Sequence, residues 1–128
     1  MVDELAAVIE TTGDPELAYG LTLQLSSVDC PRTMEVLKNI QESSPDPMLR
    51  YKSVQAMGAL GGEASVEALL STAQADPDKY NRARAVAALG EMKKKELIPH
   101  FRELHNREED EFVKGVYTKV IEKLLAAE

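Results

Sequence analysis

Tryptophan is absent from this 128-residue chain and phenylalanine occurs only twice, so any core it buries is aliphatic. One cysteine, Cys30, excludes an internal disulfide. No apolar run approaches the roughly 18 residues of a membrane span, and Asp3 and Glu4 stand where a signal peptide carries positive charge. Alternating apolar runs that would mark strands are missing, as are a glycine-rich phosphate loop and a Gly-x-Ser-x-Gly elbow. Basic residues are in deficit: 15 Lys and Arg face 22 Asp and Glu, for a net charge of −7. This balance argues against nucleic acid as a partner, because phosphate binding needs a basic surface. At 44% apolar content the chain still has enough to bury a continuous core, and its composition fits a cytoplasmic domain.

What the chain does have is a period. Asp14, Asp46, Asp78 and Asp110 are spaced 32 residues apart, and a fixed interval of this size is the signature of a repeat protein. Asp46-Pro47-Met48-Leu49-Arg50 stands over Asp14-Pro15-Glu16-Leu17-Ala18, Asp78-Lys79-Tyr80-Asn81-Arg82 and Asp110-Glu111-Phe112-Val113-Lys114. In the other half of the repeat Val2, Met34, Val66 and Ile98 form one column, and Leu5, Leu37, Leu69 and Phe101 another.

Each half has helical spacing. Leu49, Ser53, Ala56, Met57 and Leu60 trace one face of a helix, and Val66, Leu69, Leu70 and Ala73 another. Asp14-Pro15 and Asp46-Pro47 put a capping acceptor before a proline at the first helical position, each cap worth roughly 1 kcal/mol. Gly61-Gly62 and the Val28-Asp29-Cys30-Pro31 loop mark breaks between helices. The spacing predicts antiparallel pairs with helices near 2–11 and 15–27, 31–43 and 47–60, 63–75 and 79–91, and 95–107 and 110–127. A single domain over 1–128 is expected, with repeats near 1–30, 31–62, 63–94 and 95–128.

The run from Pro45 to Arg50 followed by Ala56-Met57-Gly58-Ala59-Leu60-Gly61 resembles HEAT repeats, as does its copy from Asp76 to Arg82 with Ala85-Val86-Ala87-Ala88-Leu89-Gly90. The variety it is most similar to is the HEAT-like repeat of phycobilisome lyases: an acidic turn, an apolar residue and arginine, then an alanine-rich stretch ending in Leu-Gly. The first repeat has Ala18 in place of the arginine and the fourth has Lys114, departures that suit the caps of a solenoid. The resemblance implies an all-α fold, a right-handed alpha-alpha superhelix of four helix pairs, with the second helices lining a concave face.

Ala56, Ala59, Ala85 and Ala88, with Gly58 and Gly90, are expected where helices approach closely; a mid-helix glycine costs about 1 kcal/mol that close packing must offset. Arg50, Arg82 and Lys114 are read with Asp14, Asp46, Asp78 and Asp110 as a structural ladder, each basic side chain meeting the acidic turn of its own or the next repeat through i, i+4 pairs such as Asp46 to Arg50. Exposed second-helix columns carry Tyr19, Met48, Tyr51, Lys52, Tyr80, Arg84, Phe112 and Lys119. These form the candidate partner-binding face, aromatic and mildly basic on an acidic body, suited to an acidic segment of another protein. The alternative for the same aromatics is packing between repeats.

Little else suggests chemistry. His100 and His105 are five apart, roughly 140° around a helix, so one helix does not present both to a metal. Cys30 has no histidine near it in sequence, and the runs Lys93-Lys94-Lys95 and Glu108-Glu109-Asp110-Glu111 read as solvated turns. The expectation is a non-catalytic interaction scaffold with no cofactor and no metal; the alternative implied by the resemblance is a subunit or relative of bilin chromophore lyases.

Overall fold

The computed structural model describes residues 1–127, and among these there is no strand. The helices are α1 (Val2–Thr11), α2 (Pro15–Gln24), α3 (Pro31–Ser43), α4 (Pro47–Leu60), α5 (Gly62–Ala75), α6 (Lys79–Glu91), α7 (Ile98–Arg107) and α8 (Glu111–Ala126). Two expected spans change character at one end. After Gln24 the chain tightens into a 3-10 turn, where the Ser26 and Ser27 hydroxyls donate to the Leu23 and Gln24 carbonyls at 2.7 and 2.8 Å. The span expected from residue 95 opens with a 3-10 turn, Lys95–Leu97. Pro99 has no N–H to donate back to Lys95, so the α-helix proper starts with the proline in its first turn.

All four periodic aspartates are N-caps. Their Oδ1 atoms accept from the amides of Glu16 at 3.1 Å, Met48 at 2.9 Å, Tyr80 at 2.7 Å and Phe112 at 2.9 Å. A second acceptor column stands two residues earlier and holds the aspartates' own amides. Thr12, Ser44, Asp76 and Glu108 accept from Asp14, Asp46, Asp78 and Asp110 at 3.1, 3.2, 2.8 and 2.9 Å. The turn inside each pair is thus built by two nested side-chain acceptors, which satisfy amides that have no helical partner. Between α4 and α5 the chain passes through Gly61 and Gly62 at φ +68° and +84°, a left-handed conformation that favours glycine.

The chain comprises two compact units, 1–68 and 69–128, with the boundary inside α5. In the first, α1 packs on α2, α3 on α4, α2 on α4 and α1 on α3. Leu25, Leu37, Val54, Ala56 and Met57 are its deepest apolar side chains, and the buried Ser53 hydroxyl donates to the Leu37 carbonyl at 2.6 Å. In the second, α6 and α7 both pack on α8 around Phe101, Val113, Tyr117, Val86 and Leu89. Each unit is stacked helix pairs, the all-α arrangement of an alpha-alpha solenoid.

The small residues divide. Ala56 and Ala85 are completely buried, but Ala59 is exposed and Ala88 half-buried, so these two do not mark the tightest contact. Gly90 does: a Cβ placed there would stand 2.8 Å from Val120 Cγ2, which lets α6 and α8 lie close. Leu49, Leu60 and Leu70, expected on buried stripes, are only half-buried.

Candidate functional site

Met48, Tyr80 and Phe112 each occupy the second position of a helix, two residues after the capping aspartate, and each is turned to solvent: 44%, 61% and 51% exposed. In the second unit the Tyr80 and Phe112 rings meet with centroids 5.7 Å apart at 59°, forming an exposed aromatic pair. Lys79 Nζ lies 5.4 Å from the Tyr80 ring and 3.8 Å from Asp110 Oδ2, which holds a positive charge beside that pair. Arg84 is one turn on from Tyr80 and Lys119 two turns on from Phe112; both are exposed. In the first unit Tyr51 and Lys52 are half-buried, with Lys52 Nζ 5.4 Å from the Tyr51 ring.

Tyr19 is engaged within the protein. Its hydroxyl donates to Asp46 Oδ2 at 2.7 Å, tying α2 to the capping aspartate of the next repeat, and this bond raises the phenol's pKa above its ordinary value. It is a bracing residue with an internal partner.

In the ladder, Arg82 meets the acidic turn of the next repeat at Glu108, and both arginines also bond backbone carbonyls. Arg50 Nη1 donates to the Ser44 carbonyl at 2.8 Å and Arg82 Nη1 to the Asp76 carbonyl at 2.9 Å, in each case six residues back. The arginine therefore closes the turn by reaching the end of the preceding helix, while the aspartate is occupied as a cap. Arg82 then extends to the next repeat: Nε and Nη2 grip Glu108 Oε1 and Oε2 at 3.0 and 3.1 Å. Lys114 is half-buried, and its backbone amide bonds the Asp110 carbonyl.

Glu108 is accordingly not part of a solvated acidic run, since its side chain is only 8% exposed. Burial pushes its pKa up, but the two bonds from Arg82 and the amides of Asp110 and Glu109 pull it down by more, leaving it below the usual carboxylate range. Beside this pair stands Tyr117, 1% exposed, its ring 6.3 Å from Phe101 and edge-on to His105 at 6.5 Å. Burial, with Glu108 adding to it, pushes the Tyr117 phenol up to about 12. Neither Glu108 nor Tyr117 is singled out by the sequence reading, although both carry a signal. Glu108 shares the 32-residue column of Thr12, Ser44 and Asp76, and Tyr117 occupies the column that holds Ser53 and Ala85 in the preceding repeats.

Cys30 is half-buried at the start of α3, its Sγ 3.4 Å from Thr33 Oγ1, and contacts with Thr33 lower the thiol's pKa. Among the described residues no three of His, Cys, Asp and Glu gather where they could hold a metal ion, and no helix is long and apolar enough to cross a membrane.

No curated protein matches the chain. The profile of the family described as HEAT repeats matches residues 2–83. HEAT repeats generally mediate protein–protein interactions and are typically non-catalytic. With the profile spanning more than half of its length, and helix pairs stacked in both units, the chain belongs to the HEAT-repeat family.

Proposed function

We propose that the chain is a non-catalytic cytoplasmic scaffold whose 128 residues act as one HEAT-like domain, binding another protein through the second-helix face. Met48, Tyr51 and Lys52 supply the contacts in the first unit, and Tyr80, Arg84, Phe112 and Lys119 in the second. The observation that carries this reading is the exposure of Met48, Tyr80 and Phe112 at one repeated position, with two of the rings paired outside the core. Aromatic side chains that a small aliphatic core could use are instead held at the surface, where they offer contact area at low entropic cost. Lys52, Lys79, Arg84 and Lys119 beside them, on a body of net charge −7, favour a partner with a locally acidic segment.

The test is affinity capture from a native lysate with three baits: the wild type, Tyr80→Ser/Phe112→Ser and Lys52→Glu/Arg84→Glu. Calorimetry with the purified partner follows. We expect one protein retained by the wild type and bound at least about tenfold more weakly by both variants. Equal affinity for all three baits would overturn the assignment of the face. A second reading, a relative of bilin lyases, rests on the resemblance of the Asp46–Gly61 and Asp78–Gly90 runs to the repeats of phycobilisome lyases; a captured open-chain tetrapyrrole in place of a protein would favour it.

A further inference from the structure

In the second unit a pocket of about 350 Å³ opens at the turn edge, where the ends of α5 and α7 meet the starts of α6 and α8. Ala73 and Leu104 give it apolar walls, and its polar lining includes Arg82, Arg107, Glu108, Glu109 and Tyr117. Tyr117 is 99% buried by its 1% exposure, yet its hydroxyl has no hydrogen-bond partner among the described residues. Unlike the Ser65 Oγ, which is fully enclosed without a partner, the Tyr117 hydroxyl is not sealed off, so on a residue that borders the pocket it is open to a partner that enters there.

The lining specifies that occupant. Two guanidinium groups are set against two carboxylates, so a bare cation or anion meets repulsion as well as attraction, and a neutral group is favoured. Arg82 is committed to Glu108 and to the Asp76 carbonyl, and Arg107 donates to Glu103 at 2.5 Å, which leaves neither as a dedicated anion receptor. Tyr117 keeps its proton, so it is a donor. Glu108 Oε1 receives one bond, from Arg82 Nε, and a carboxylate oxygen has room for a second. A donor and an acceptor lining the same pocket suit a group that accepts with one atom and donates with its neighbour.

We propose that this pocket binds a primary carboxamide: the side chain of a glutamine or asparagine presented by a partner protein, its C=O accepting from Tyr117 and its NH₂ donating to Glu108, with its methylenes against Leu104 and Ala73. The site is separate from the exposed aromatic face, shares none of its residues and does not depend on that assignment.

The experiment is an NMR titration of the isotope-labelled full chain with butyramide, which reproduces the glutamine side chain, and with butyrate and butylamine as charged controls. Saturable shifts centred on Leu104, Tyr117 and Ala73 are expected with butyramide in about the millimolar range, and binding of either ion about tenfold weaker. Tyr117→Phe should reduce butyramide affinity by about fivefold or more while melting within a few degrees of wild type, since it removes a hydroxyl without an internal partner. Butyrate or butylamine binding as well as butyramide would overturn the carboxamide assignment. The absence of any saturable shift would overturn the site itself. A Phe variant that binds butyramide undiminished would remove Tyr117 from the recognition. The comparison of the three ligands on the unmutated chain decides the first two points whatever the variant's stability.

Discussion

Arginine four residues after the capping aspartate acts on the backbone as well as on charge. Arg50 and Arg82 each deliver Nη1 to the carbonyl six residues earlier, and Arg82 uses the rest of its fork on Glu108. Lysine has no planar fork with which to reach a carbonyl and a carboxylate together, so Arg82→Lys is not a conservative change. Glu108→Gln should lower stability at pH 7 by about 1.5–3 kcal/mol in urea denaturation, because it weakens two charge-assisted bonds at a nearly buried site. The pH dependence identifies the cause. The folded pKa of Glu108 lies below its unfolded value, so its contribution is complete above about pH 4.3 and is lost as pH falls through the folded value. The gap between wild type and Glu108→Gln should therefore be widest near neutrality and shrink in acid. A gap constant down to pH 2 would assign the effect to packing. Tyr19→Phe should lower the urea midpoint slightly, by removing the bond to Asp46 while keeping the ring.

The helices are fixed by signals of short range, and those signals were legible. Asp before Pro at residues 14 and 46, Cys before Pro31, and the Gly61-Gly62 pair act within one turn of where they stand, and α1, α3, α4 and α6 begin and end at the residues expected. The 32-residue register likewise announced the stacking of like helices. Pairings between elements were not legible. Arg82 could have met Asp78 four residues away, and its choice of Glu108, 26 residues on, depends on where the following turn lies in space. Tyr117 lines a pocket that exists only once α7 and α8 have docked. Met48, Tyr80 and Phe112 were recognisable as a column, but periodicity alone left open whether they pack inside or face solvent. Close approach tests the packing of α6 on α8. Gly90→Ala gains about 1 kcal/mol of helix propensity, but it sets a methyl 2.8 Å from a branched side chain that has little freedom to yield. We expect net destabilisation of about 1–2 kcal/mol by overpacking, recovered in part when Val120→Ala is added. If Gly90→Ala alone is stabilising, the two helices have room that the close contact denies.

At the scale of the whole molecule, stability in a repeat protein is approximately a sum of terms internal to each repeat and terms between neighbours. The bonds seen here take that form: Tyr19 to Asp46 joins the first repeat to the second, and Arg82 to Glu108 joins the third to the fourth. The two links have no residue in common, so the effects of Tyr19→Phe and Glu108→Gln should add to within about 0.5 kcal/mol. Arg82→Lys and Glu108→Gln remove the same link from either end and should show a coupling energy of about 0.5–3 kcal/mol. Denaturant titrations of the single and double variants measure both quantities. Additivity of the first pair with coupling of the second is what nearest-neighbour construction requires. Strong coupling between Tyr19 and Glu108 would show instead that the links are set collectively, and a partner bound at one end would then be felt at the other.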